Sequence, residues 1–227
     1  MPKVKFPLHT ATVLFLVVSR SPVWAETQCH QAATDVTLTL LLSSGDTLKL
    51  RVPIDYFDQR FVPGDGSTRE GLLLRVQATD FSPWPEEVRP HTSEGPLMGY
   101  LLTEYQPFDI VADRSARAEA GYSLIGEVEW TRKPGPFGLS VLVAPPPVEV
   151  HSALMGQKDV FVAVDEQGSI TDIIRCERPG RTPFQTCDHL IEAGEIDIKL
   201  NYAPDFLAEW ARLSADALKF LDCMKRE

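Results

Sequence analysis

The sequence is poor in most of the features that identify an enzyme. It has no G-x-x-x-x-G-K-[ST] phosphate loop, no G-x-G-x-x-G dinucleotide fingerprint and no H-E-x-x-H pair. The nearest approach to a nucleophile elbow, Gly121-Tyr122-Ser123-Leu124-Ile125-Gly126, is one residue too long and does not lie between a strand and a helix. Histidines are few and scattered: His30, His91, His151 and His189 beyond the N-terminal segment, none at ligand spacing to another. Positive charge is also short, with 22 Lys and Arg against 32 Asp and Glu, a formal charge of −10. That balance argues against nucleic acid or an anionic membrane surface as partner, and it suits solubility or a basic protein partner. No apolar run approaches the roughly 20 residues that span a bilayer.

The longest apolar run is Ala11–Val18, and it follows a positive start, Lys3 and Lys5. A polar break at Ser19–Pro22 and the small-residue ending Val23-Trp24-Ala25 complete the layout of a secretory signal peptide over residues 1–25, cut after Ala25. The expected location is the periplasm. No cysteine stands at the cut, which excludes a lipid anchor there. Removal of the segment takes three cations and no acid, carrying the charge from −10 to −13. Residues 26–227 are then long enough for one exported domain with a full core. Pro145-Pro146-Pro147 is a rigid spacer that also permits two β-rich halves, about 26–144 and 148–227.

Four cysteines remain: Cys29, Cys176, Cys187 and Cys223. An even count in an exported chain points to disulfides, and four cysteines allow three pairings. Cys176 and Cys187 flank a Pro- and Gly-containing turn and form the shortest loop; that choice leaves Cys29 with Cys223. The competing reading is a metal site, because Cys187 and His189 share a face on a strand. It lacks a C-x-x-C and a second nearby histidine. A redox dithiol lacks the two-residue spacing usual for one. The expectation is therefore a staple, with no metal and no cofactor. His189 beside Asp188 is the best single acid–base pair, and it reads more simply as part of a strand.

Periodicity predicts a fold of class α+β, mainly antiparallel hairpins in one or two sheets with a C-terminal amphipathic helix packed on them. Asp35–Leu42 and Thr47–Val52 flank a Ser-Gly-Asp turn, and residues 58–69 read as loop. Gly71–Gln77 is apolar enough for a central strand. Leu97–Tyr105, Tyr122–Trp130 and Leu139–Val143 are candidate strands, Asp113–Ala120 a short polar helix, and Thr131–Pro136 a basic turn. Asp159–Asp165 pairs with Ser169–Arg175, and Asp188–Glu192 with Ile196–Tyr202. Pro204 opens a helix in which Phe206, Trp210, Leu213, Ala217, Phe220 and Met224 recur at steps of four and three. Gly45–Phe57 and Gly194–Leu207 echo each other as alternating strands that run into an aromatic.

Two blocks carry a resemblance. The first is Leu50-Arg51-Val52-Pro53 with Tyr56-Phe57, Gly71–Val76 and Asp80-Phe81-Ser82-Pro83. The second is Cys176, Cys187-Asp188-His189, Leu200-Asn201-Tyr202 and Phe206–Trp210. Together they resemble periplasmic immunity-type proteins that accompany type VI secretion effectors, in particular lipase or phospholipase toxins. Ala203-Pro204 stands where related proteins carry a basic residue after the tyrosine. The resemblance implies a non-enzymatic protein that binds a cognate toxin stoichiometrically and occludes its active site. The partner anchors are then expected in the middle region: Phe108, Asp109, Asp113 and Trp130. Two other readings remain open, an accessory subunit of an envelope or secretion assembly, and a periplasmic hydrolase with an unrecognised site.

Overall fold

The computed structural model describes residues 34–42, 44–85, 97–120, 129–143, 158–180 and 185–225. The proposed signal peptide, Cys29, residues 122–128 of the candidate strand Tyr122–Trp130 and the Pro145–Pro147 spacer lie outside them.

The first hairpin joins β1 (Asp35–Leu41) and β2 (Thr47–Pro53), with Leu38 opposite Leu50. β1 also pairs in parallel with the short β3 (Ser67–Arg69), giving a three-stranded sheet in the order β2-β1-β3. The expected loop therefore contributes a strand, together with a 3-10 turn at Gln59–Phe61. The second sheet is built from β4 (Leu72–Gln77), β5 (Leu97–Glu104), β6 (Thr131–Pro134), β7 (Ser140–Val143), β8 (Lys158–Val164), β9 (Ile170–Glu177), β10 (Cys187–Glu192) and β11 (Ile196–Tyr202). Its order is β4-β5-β11-β10-β9-β8-β7-β6, antiparallel throughout. This sheet runs across the division between residues 144 and 148.

Two expectations change here. β4 is an outer strand, not a central one: Leu72, Leu74 and Val76 are buried while Leu73 points outward. The basic segment from Thr131 is the outer strand β6, fully exposed. Lys, Arg and Pro are what a solvent-facing sheet edge carries to discourage pairing with another chain.

The two helices lie on opposite faces of the large sheet. α2 (Trp210–Lys225), entered through a 3-10 turn at Pro204–Glu209, buries the predicted stripe at Leu213, Ala217, Phe220 and Met224. The Phe220 ring sits 4.9 Å from Tyr56, 5.2 Å from Tyr100 and 5.9 Å from Phe81. Phe220 thus ties the small sheet's exit turn to β5 and to the turn after β4. The Tyr100 hydroxyl donates to the Ala217 carbonyl at 3.0 Å. Phe81 reaches this cluster from a left-handed backbone (φ 57°), its N–H bonded to the Gln77 carbonyl at 2.9 Å. β2 and β11 both run into 3-10 turns, at Ile54–Tyr56 and Pro204–Glu209, as the sequence echo suggests. On the other face, α1 (Phe108–Ala120) covers β8 and β9. Its Phe108 and Ala112 pack against Val160, Val162, Ile170 and Ile173. α1 starts five residues before the expected Asp113, directly after Pro107.

Candidate functional site

Strand alternation separates neighbours in sequence. On β10, Cys187, His189 and Ile191 face α2, while Asp188 and Leu190 face the side of α1. Asp188 and His189 are consequently not an acid–base pair. They belong to two different clusters.

Facing α2, Cys176 and Cys187 lie directly opposite each other on β9 and β10 and form a disulfide. Cys223 is also disulfide-bonded, and no free cysteine occurs among the described residues. Next to the staple, His189 Nε2 lies 2.8 Å from Asp172 Oδ1, and His189 Nδ1 lies 3.1 Å from the Tyr202 hydroxyl. With Nε2 as donor to the Asp172 carboxylate, Nδ1 of the neutral ring is the acceptor for the Tyr202 O–H. Thr171 Oγ1 donates to the other Asp172 oxygen at 2.8 Å. Burial, with the Asp172 charge adding, holds the Tyr202 phenol well above its usual range. These groups have the composition of a proton relay, but His189 is 0 % exposed. Its role is to satisfy a buried carboxylate. With the cysteines joined and the imidazole engaged, no metal ligand set remains there, and none is formed by three or more His, Cys, Asp or Glu elsewhere among the described residues.

Facing the other way, one register row crosses the sheet: Arg75, Gly99, Asn201, Asp188, Arg175 and Val160, one residue per strand. Asp188 is its hub. It accepts from Lys158 Nζ at 2.9 Å, Arg175 Nη2 at 3.2 Å and Asn201 Nδ2 at 3.0 Å, with Lys199 Nζ at 3.4 Å. Burial works to raise its pKa, but the Lys158 hydrogen bond and the Lys199 and Lys158 charges prevail and place it at about 2. Gly99 puts no side chain into the row, although a Cβ there meets Asn201 Cβ at an ordinary 3.7 Å. At the outer end, the Arg75 guanidinium stacks 5.0 Å from the Trp84 ring centre and pairs with Asp58.

The four residues expected to contact a partner lie at the opposite end, on and beside α1. Asp113 and Trp130 are brought together: Trp130 Nε1 donates to Asp113 Oδ1 at 2.8 Å, and Arg117 Nε donates to Oδ2 at 2.6 Å. Burial opposes ionisation of Asp113, and these two donors overcome it, holding its pKa below the usual carboxylate range. Asp109 is exposed in the first turn. Phe108 is 5 % exposed and belongs to the core beneath the helix, so it supports this surface without forming it. Its spacing to Ala112 and Ala116, one helical turn each, is the sequence signal that marks an inward face. The Asp188 row carries no comparable signal, because its members come from six strands and meet only through register.

No family model matches the sequence, and no curated protein matches it. Among solved structures, one chain superposes over 86% of this chain and 94% of its own length, with a TM-score of 0.56 and 18% identity. It is an immunity protein of the Stenotrophomonas maltophilia type IV secretion system. The two chains share a fold. An iron-regulated outer membrane lipoprotein of Neisseria meningitidis is more distant, with a TM-score of 0.43 and 9% identity over 85% of this chain and 93% of that one.

Proposed function

We propose that this chain is an exported binding protein, not an enzyme, that neutralises an antibacterial toxin by forming a stoichiometric complex with it. The observation that carries the reading is the fold shared almost end to end with a bacterial immunity protein. The resemblance seen in the sequence blocks points the same way by an independent route. The surface physics is consistent. The chain is acidic, which accelerates association with a basic cleft. On α1, Asp113 is held by Trp130 and Arg117 before any partner arrives, so little side-chain freedom is lost on binding. Asp109, Asp113 and Trp130 are accordingly proposed as partner contacts, with exposed Ile110 between them.

The finer reading is a periplasmic complex with a lipase or phospholipase effector of a type VI system. It rests on the sequence resemblance and on the signal-peptide pattern of residues 1–25; the neighbour's system is type IV. The test is direct. The mature chain, residues 26–227, is oxidised, purified and titrated with the purified toxin encoded beside its gene. A one-to-one complex that abolishes the toxin's activity is expected. A toxin that stays fully active at saturating concentrations of this chain overturns the proposal.

A further inference from the structure

At the outer edge of the large sheet, far along it from α1, exposed apolar and cationic groups collect in one place. Phe61 is 74 % exposed and Leu73 is 61 % exposed, the two largest values among the exposed large hydrophobic residues described. Arg60 lies over the Phe61 ring, 5.5 Å from its centre, and Arg75 lies over Trp84 at 5.0 Å. Leu73 stands two residues from Arg75 on β4 and so shares its face. The two guanidiniums share a single carboxylate, Asp58, which bonds Arg60 at 2.8 Å and also pairs with Arg75. Asp58 further accepts the Arg60 N–H at 3.0 Å, fixing the 3-10 turn that presents Phe61.

Composition and order both mark this patch. Arg, Trp and Phe are enriched where protein interfaces gain most of their energy, and both arginines here are held in fixed orientations. The two guanidiniums outnumber the one carboxylate they share, so the pairing leaves a cation in excess on a chain of net charge −10. Two phosphate-binding groups are too few for counterion-driven affinity to a polyanion, and the overall charge repels one. An acidic protein surface with an apolar projection fits both the charge and the exposed rings.

We propose that the Phe61–Arg75–Trp84 patch, with Leu73, is a docking surface for an acidic, apolar-centred face of the neutralised protein. This rests on the toxin-binding reading above and deepens it: the complex has a second, oppositely charged contact besides the acidic α1 surface. The experiment is calorimetric titration of the mature chain with a catalytically inactive form of the toxin encoded beside its gene. Phe61→Asp, Leu73→Asp and Arg60→Glu are titrated alongside, each at an exposed side chain and each checked for folding by near-UV circular dichroism. The two Asp variants are expected to raise Kd at least tenfold, and Arg60→Glu to slow association and flatten its salt dependence. Hydrogen–deuterium exchange on the wild-type complex is expected to show protection at residues 59–61 and 72–75. Variants that bind as tightly as wild type, or protection that omits both segments, overturn the docking surface and leave the toxin reading standing. Absence of any wild-type binding overturns both.

Discussion

Replacing Asp197 with asparagine removes one ionisable group from a place that water does not reach. Asp197 is 1 % exposed, on β11 between Thr103 of β5 and Glu192 of β10. Its Oδ2 accepts the Gln106 N–H at 2.9 Å, two residues before α1 begins, and its Oδ1 has no hydrogen-bond partner among the described residues. Burial raises its pKa, the Gln106 N–H pulls it back and the Glu192 charge raises it again; the outcome is about 6, against an ordinary 3.8. The folded chain therefore holds this proton more tightly than the unfolded chain does. Above about pH 6 the group is charged in both states, and the full penalty of burying the charge is present. As pH falls from about 6 to about 4 the folded state takes up the proton first, and stability rises. At about 1.4 kcal/mol per unit the gain approaches ~3 kcal/mol, or roughly 6–12 °C in melting temperature for a domain of this size. Asp188, with a pKa of about 2, and Asp113 and Asp58, both lowered, weaken the fold only as pH drops below about 4, so they stay outside that window. The assay is thermal melting of wild type and Asp197→Asn at half-unit steps from pH 7.5 to 4.5. The wild type is expected to gain stability on acidification more steeply than the variant, whose amide oxygen still accepts from Gln106. Parallel curves for the two proteins refute the reasoning.

Two further predictions concern the face toward α2. Serine at both Cys176 and Cys187 opens an 11-residue loop and is expected to cost about 3 kcal/mol on the chain-entropy model, read as a lower urea midpoint at unchanged slope. His189→Leu leaves the Asp172 carboxylate and the Tyr202 hydroxyl buried without their partner. The expected loss is about 3–5 kcal/mol, and an unchanged urea midpoint would show that the imidazole satisfies nothing.

The hairpins and the last helix were readable because each repeats its own period. Leu48, Leu50 and Val52 alternate with polar residues, and Leu213, Ala217, Phe220 and Met224 advance by three or four. What escaped the sequence depends on a neighbour's identity. Leu72-Leu73-Leu74 reads as a strand buried on both sides, yet Leu73 faces outward on an outer strand. Thr131–Pro134 reads as a turn for the same reason that it serves as an outer strand: its charges and proline suit a backbone with no partner on one side. Alternation alone placed Cys187 and His189 on one face, but the pairing of His189 with Asp172 needed the β9–β10 register. The Arg75–Trp84 stack was equally hidden, since it requires the chain to reverse at Phe81 through a backbone that phenylalanine seldom adopts.

The disulfide between β9 and β10 has a consequence beyond holding two segments together. Cys176 and Cys187 are exact opposites in the ladder, and every residue after them inherits its side of the sheet from that match. A shift of one position would turn His189 toward α1 and press the charge of Asp188 into the apolar layer under α2. Once oxidised, the pair admits a single phase for the strands beyond it. The bond thus serves as a checkpoint on assembly: a chain that closes it has already assigned its charges to one face and its imidazole to the other.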